Sequence, residues 1–295
     1  MHLYILVAAL LRCIFYMSMR ENWIKVGSAT IHYFVSGDGD RNVVLLHGGG
    51  TNSAMLSWKY IIPHLSQKYK VFAPDWPSYG QSSAFTGNYT NDLLIDFLSR
   101  LMDAWQLQKA SLIGLSMGGA AVLGYTLISP ERVSNIVLAG SYGLQHKAPY
   151  HTLSYLLLHM PFFSKIICEC MRRSHFVVRS CLQKTFYDRR LISKELVHEI
   201  HTVAQRPCTE KAFFSWLRNE VLWNSMLTCY AQRFHELQTR TLLLHGECDS
   251  LVPLYYAQQA ASLIKNARLH VINKCGHWLT RERPEEFNRV VSAFL

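Results

Sequence analysis

Leu112-Ile113-Gly114-Leu115-Ser116-Met117-Gly118-Gly119 is the stretch whose reading decides the fold. An apolar run from Ala110 to Leu115 ends in a serine with glycine two residues to either side, and a helical pattern follows from Met117 to Ile128. Together these read as a buried strand, a sharp turn and a helix start. The glycines leave room for a strained turn that holds the Ser116 hydroxyl clear of the sheet. The helix behind Ser116 directs free N–H groups and the positive end of its dipole at the same point, which suits a developing oxyanion. Ser116 is the candidate nucleophile. Its duller reading is a loop serine, because G-x-S-x-G also arises by chance, and the strand-to-helix context argues against that.

The pattern spreads outward from this turn. Upstream, Trp23 to Val35 alternates as a hairpin. Asn42 to Leu46 is an apolar strand running into His47-Gly48-Gly49-Gly50, residues 53 to 66 have helical spacing, and Lys70 to Ala73 is a further strand. Asn91 to Trp105 is an amphipathic helix capped by Thr90 or Asn91. Downstream, Ser134 to Ala139 is a strand, after which the alternation stops until Thr241 to Leu244. A helix over 254 to 264, a strand from Arg268 to Ile272 and a closing helix from Pro284 complete the chain. Repeated strand–helix alternation predicts an α/β fold, a mostly parallel sheet with helices on both faces. The gap carries helical patterns at 151–160, 162–180, 193–204 and 209–220 and no strand, which predicts a helical cap inserted at 141–240 between core segments 21–140 and 241–295.

Composition narrows the function classes. At 295 residues, 49% hydrophobic and 17% charged, the chain can bury a large core. A net charge of +10 raises nucleic acid or an anionic surface as partners. Basic residues never cluster beyond pairs such as Arg172-Arg173 and Arg189-Arg190, so nucleic acid is not expected. Residues 141–235 hold 13 Lys/Arg against 6 Asp/Glu, so any anionic substrate or surface is expected to meet the cap. The eight cysteines are scattered without zinc or disulfide spacing and read as reduced core thiols of a cytosolic protein, Cys248 and Cys275 as buried and inert. No metal and no cofactor are expected.

Residues 1–20 stand apart. Leu3 to Met17 is apolar but broken by Arg12, too short before the arginine to span a bilayer and without a clear cleavage site. A weak anchor giving peripheral membrane contact, a packed extra helix, and sequence upstream of a start at Met17 or Met19 are all open readings.

Ser116 needs a base, and the base needs an orienting carboxylate. Asp249 follows the strand at 241–244 and His277 the strand at 268–272. In a parallel sheet both loops open at the same edge as the Ser116 turn, so the three residues converge. Alone, His277 reads as a hydrogen-bonded loop histidine and Asp249 as a turn former; their joint placement argues for a triad. His47, His245, Asp75 and Ser82 read as structural. Trp278 either faces the site or fills the core.

With these motifs the resemblance becomes specific. G-L-S-M-G-G, L-L-H-G-G-G, V-F-A-P-D-W-P-S-Y-G-Q-S-S, H-G-E-C-D-S-L-V-P and C-G-H-W-L-T-R-E-R-P-E-E-F-N-R-V-V together resemble an α/β-hydrolase, in the order Ser, Asp, His. The chain is most similar to the subgroup of meta-cleavage product hydrolases, which cut a carbon–carbon bond, and related carboxylesterases. The resemblance implies that His277 deprotonates Ser116 and Asp249 steadies the imidazolium. It places the oxyanion between the N–H groups of Gly49 and Met117, with Gly48, Gly50 and Trp278 against a small acyl substrate. Two departures bear on the bond cut. Leu115 stands where that subgroup usually has Asn, and the sequence does not say which of the cap arginines, Arg172, Arg189, Arg190 and Arg206 among them, if any, takes the place of its carboxylate-binding arginine. A serine esterase is therefore the leading expectation, with a carbon–carbon hydrolase or a ligand receptor that keeps the pocket as alternatives. A serine nucleophile argues against dehalogenase and epoxide-hydrolase chemistry, which use Asp at the elbow.

Overall fold

The computed structural model describes residues 19–295; the expectations for the amino-terminal apolar stretch lie outside the described residues. Eight strands form one sheet in the order β1-β2-β4-β3-β5-β6-β7-β8. β1 (Arg20–Val26) and β2 (Ala29–Ser36) make the antiparallel hairpin, and β2 runs antiparallel to β4 (Lys70–Pro74). β3 (Asn42–Leu46), β4, β5 (Ala110–Leu115), β6 (Val133–Ala139), β7 (Arg240–Gly246) and β8 (Ala267–Ile272) are parallel.

The apolar runs follow from burial on both faces. Val44, Leu46, Leu112, Ile136, Leu138 and Leu243 point to one side and Val43, Leu45, Ile113, Leu115, Val137 and Leu244 to the other, the two-residue alternation of a pleated strand with no solvent face. α3 (Asn91–Ala104), α4 (Met117–Ile128) and α10 (Leu254–Leu263) cover the first face. α1 (Ala54–Trp58), α2 (Ile62–Leu65) and α12 (Pro284–Phe294) cover the second, with short α11 (Leu279–Glu282) leading into α12.

Between β6 and β7 lie α5 (His151–His159), α6 (Phe163–Arg173), α7 (His175–Leu182), α8 (Lys194–Ala204) and α9 (Pro207–Glu220). Two expected helices are each split in two. The run at 53–66 breaks because Pro63 lacks the N–H a continuous helix needs and its ring would strike the carbonyl of Lys59, so Pro63 sits in the first turn of α2 instead. The run at 162–180 breaks at Ser174, whose extended backbone (φ −141°, ψ 113°) ends α6 while its hydroxyl accepts from Val177 N at 3.4 Å to cap α7.

Candidate active site

Ser116 sits between β5 and α4 with φ 51° and ψ −116°, a conformation that strains any residue carrying a Cβ. Its amide donates to Ala139 O at 2.9 Å and its carbonyl accepts from Gly119 N at 2.8 Å, so neighbouring strand and helix hold the turn from both sides. The flanking glycines answer backbone crowding more than crowding of the serine. A Cβ on Gly114 would lie 2.5 Å from Gly118 O, and one on Gly118 would lie 2.2 Å from Leu46 O.

Asp249 and His277 leave the ends of β7 and β8 and meet through His277 Nδ1–H donating to Asp249 Oδ2 at 2.7 Å. The other carboxylate oxygen, Oδ1, accepts from the amides of Leu251 (2.8 Å) and Val252 (2.9 Å). Burial pushes the Asp249 carboxyl up, but attraction to His277, the hydrogen bond from it and the Val252 amide outweigh burial and hold it below the usual carboxylate range. Gly140 packs beneath the pair: a Cβ there would sit 3.2 Å from Asp249 Oδ2 and 3.3 Å from His277 Nδ1. His245 bonds Val252 O through Nε2 at 2.8 Å and so braces the Asp249 loop. Buried Glu282, which sequence reasoning missed, ties the His277 loop to the cap by accepting from Gly276 N (2.8 Å), Tyr187 N (3.1 Å) and Asp188 N (2.7 Å).

Ser116 and His277 line one cavity of about 330 Å³, together with Gly48, Gly49, Gly50, Met117 and Trp278. A Cβ on Gly48 would lie 3.3 Å from Ser116 Cβ, and one on Gly49 would lie 2.7 Å from Phe213 Cε2 and 3.4 Å from Met117 Sδ, so this loop runs directly over the serine. Among the described residues, neither Gly49 N–H nor Met117 N–H donates to a protein acceptor, which leaves both free for a substrate oxygen.

Buried polar groups fix the loop. His47 Nδ1–H donates to Gly48 O (2.8 Å) while Nε2 accepts from Trp76 N (3.1 Å), which makes the ring a neutral tautomer. Burial lowers its pKa to about 4. Asp75 accepts from Ala54 N (2.7 Å) and Gln81 N (2.9 Å) and bonds His32 Nδ1 (2.7 Å), and Ser82 donates to Asp75 O (2.8 Å). Trp278 both lines the cavity and packs edge-on against Phe186, with ring centroids 6.1 Å apart.

The cavity wall is mostly apolar, with Thr51, Asn52, Thr185 and Glu210 as polar side chains beside Ser116 and His277, and among the described residues no Lys or Arg lines it. The cap arginines are engaged elsewhere. Arg172 pairs with Glu169 and Glu210, Arg190 with Asp188, and Arg206 donates to Ser82 O, while Arg189 is exposed. None of these four arginines lines the cavity, and Arg172 reaches its wall only through Glu210. Among the described residues the one carboxylate lining the cavity is Glu210 on α9, which is buried. Its Oε2 is held by Arg172, its Oε1 has no hydrogen-bond partner among the described residues, and burial raises its pKa in spite of Cys168 and Arg172 beside it. Cys275 is buried as expected, but Cys248 is exposed, because the turn that bonds its amide to Cys275 O (2.9 Å) points its side chain outward.

A family model described as "Alpha/beta hydrolase family" matches residues 43–290. The chain is 32% identical over 273 residues to a 2-hydroxy-6-oxo-6-phenylhexa-2,4-dienoate hydrolase of Comamonas testosteroni, covering 90% of this chain and 91% of that one. It is 30% identical over 256 residues to a 2-hydroxy-6-oxo-2,4-heptadienoate hydrolase of Pseudomonas putida, covering 86% and 88% of the two chains. Among solved structures it is similar to a meta-cleavage product hydrolase, CumD, with a TM-score of 0.79 at 30% identity over 92% of this chain and 97% of the other.

Proposed function

The chain belongs to the alpha/beta hydrolase family, and from that premise we propose that it is a serine hydrolase of neutral, apolar carboxylic esters. Ser116 Oγ attacks the ester carbonyl carbon as His277 Nε2 takes its proton, while Nδ1–H stays on Asp249. The oxyanion forms against Gly49 N–H and Met117 N–H, each donor worth about 3 kcal/mol in the transition state. His277 returns the proton to the leaving alkoxide. Water deprotonated by the same nitrogen then opens the acyl-enzyme and releases the acid.

The cavity's electrostatics carry the ester assignment. The relatives are hydrolases of dienoates, which are carboxylates, and an anion needs a cation or donors in a dry pocket. This cavity sets the Glu210 carboxylate against such an anion and has no lining Lys or Arg among the described residues, its neutral side-chain donors being Thr51, Asn52 and Thr185, with Leu115 rather than a polar residue before the nucleophile. The second reading, carbon–carbon cleavage, draws on the relatives themselves, whose identity extends over about nine-tenths of the chain.

The test is a direct comparison of p-nitrophenyl butyrate or hexanoate with 2-hydroxy-6-oxo-6-phenylhexa-2,4-dienoate on the purified protein. The expected kcat/KM for the ester exceeds that for the dienoate by more than about tenfold, a difference of roughly 1.4 kcal/mol. The reverse order assigns carbon–carbon hydrolysis instead. Ser116→Ala controls for background.

A further inference from the structure

The outer side of α5 and α6 carries an exposed apolar corner that the catalytic reading leaves unused. Leu153, Leu156 and Met160 recur at positions i, i+3 and i+7 and form a solvent-facing stripe on α5 and the residue after it; they are 55%, 49% and 54% exposed. Phe162, just before α6, and Ile166 on it, 67% and 59% exposed, continue it. Tyr150 and Phe162 precede the two helices in left-handed backbone (φ 50° and 64°), rare for aromatic residues, and both rings end in solvent. Exposed Trp223 meets Tyr155, on another face of α5, edge-on at 5.3 Å. The helix pair together has the length and composition of a membrane segment, yet it bends by 87° at the break and so presents a corner rather than a span.

Charge indicates what covers this corner. Residues 141–182 hold five Lys/Arg and one acid, Glu169. Lys147 and Lys165 are exposed and outside any ion pair among the described residues, and Lys165 Nζ lies 5.6 Å from the Phe162 ring centre. Exposed aliphatic and aromatic side chains with Lys165 beside them and Lys147 three residues before Tyr150 match the boundary between acyl chains and anionic headgroups. A second copy of the chain fits less well, since a two-fold contact here would set these lysines against each other. The inner side of the same helix, through Ile167, Cys168 and Met171, forms a wall of the catalytic cavity.

We propose that the α5–α6 corner docks the protein on an anionic lipid surface, so that its substrate is an ester carried in that surface. The docking stands on the patch alone; the substrate class rests on the ester-hydrolase reading.

The full chain is sedimented with phosphatidylcholine vesicles and with equimolar phosphatidylcholine/phosphatidylglycerol vesicles. Wild type should partition more strongly onto the mixed vesicles. The double variant Leu156→Glu/Met160→Glu should lower that partitioning roughly tenfold or more, and Lys147→Glu/Lys165→Glu should lower it on mixed vesicles only. Hydrolysis of monooleoylglycerol held in the mixed vesicles should fall in parallel, while hydrolysis of soluble p-nitrophenyl butyrate stays within about twofold, which also reports that the variants fold. The proposal is overturned if wild type binds neither vesicle, or if the variants bind as wild type does. It is equally overturned if wild type is a dimer that Leu156→Glu/Met160→Glu dissociates. Vesicle binding that follows the patch, without hydrolysis of any soluble ester, supports the docking and sinks the ester reading alone.

Discussion

The two carboxylate oxygens of Asp249 have separate partners, and only Oδ2 faces His277, at 2.7 Å from Nδ1, while two backbone amides occupy Oδ1. That division determines the effect of Asp249→Asn. The amides of Leu251 and Val252 need an acceptor, so the single amide oxygen of Asn stays with them and its NH2 turns toward His277. Nδ1 must then accept, the ring proton moves to Nε2, and the base can no longer take the Ser116 proton. Asp249→Asn should lower kcat by roughly 10⁴-fold with little change in KM for a neutral ester. A loss of only a few-fold would show that His277 does not depend on this carboxylate.

The backbone of Ser116 yields a stability prediction independent of the chemistry. With φ 51° and ψ −116° the residue is strained wherever a Cβ is present, and Ala carries the same strain as Ser. Glycine relieves it by about 1 to 3 kcal/mol and returns about 0.5 to 1 kcal/mol through the greater entropy of its unfolded chain. Ser116→Gly should therefore unfold at higher urea than Ser116→Ala, with both inactive and neither labelled by a fluorophosphonate. Equal or reversed midpoints would mean that the turn stores no strain.

His47 links stability to pH. Its folded pKa is depressed from 6.5 to about 4, so above pH 6.5 the ring is neutral in both states and linkage contributes nothing. As pH falls from 6.5 toward 4 the unfolded chain takes up a proton that the folded chain refuses, and stability drops by roughly 3 kcal/mol, then levels off for this group. His47→Gln keeps one donor and one acceptor but does not titrate. Urea unfolding across that window should show a shallower slope for the variant than for wild type; parallel slopes would place the acid sensitivity elsewhere.

The sheet and the Ser116, Asp249, His277 constellation were legible because burial on both faces writes unbroken apolar runs, as in Val43–Leu46, and because a parallel sheet brings loops that follow strands to one edge. The cap was legible only as helices. Glu210 reads in sequence as an ordinary acidic residue in the first turn of a helix, a position that usually faces solvent. It turns inward because α9 lies over the glycine loop, where Phe213 meets Gly49, and because Arg172, 38 residues away, reaches it from α6. Neither contact leaves a periodic trace. The same holds for Ser174 and Pro63, whose local chemistry overrides an apolar spacing that favours continuous helix.

Glu210 is the side chain that sets the sign of the cavity. Removing one negative charge about 6 Å from a substrate carboxylate, at an effective dielectric of about 20, is worth roughly 3 kcal/mol. With about half of that already offset by Arg172, Glu210→Gln should raise kcat/KM for a p-nitrophenyl ester ending in a carboxylate by about tenfold relative to its methyl-terminated counterpart. Gln still accepts from Arg172, so the α6–α9 contact survives. Glu210→Asp, which keeps the charge, should leave the ratio near wild type. Ile200→Arg, on α8, whose His201 bonds Arg172 O at 2.8 Å, adds a cation to the wall while leaving Glu210 in place and should shift selectivity in the same direction. If neither Glu210→Gln nor Ile200→Arg changes the ratio, substrate charge is not read in this cavity, and the argument for a neutral ester over a dienoate loses its footing.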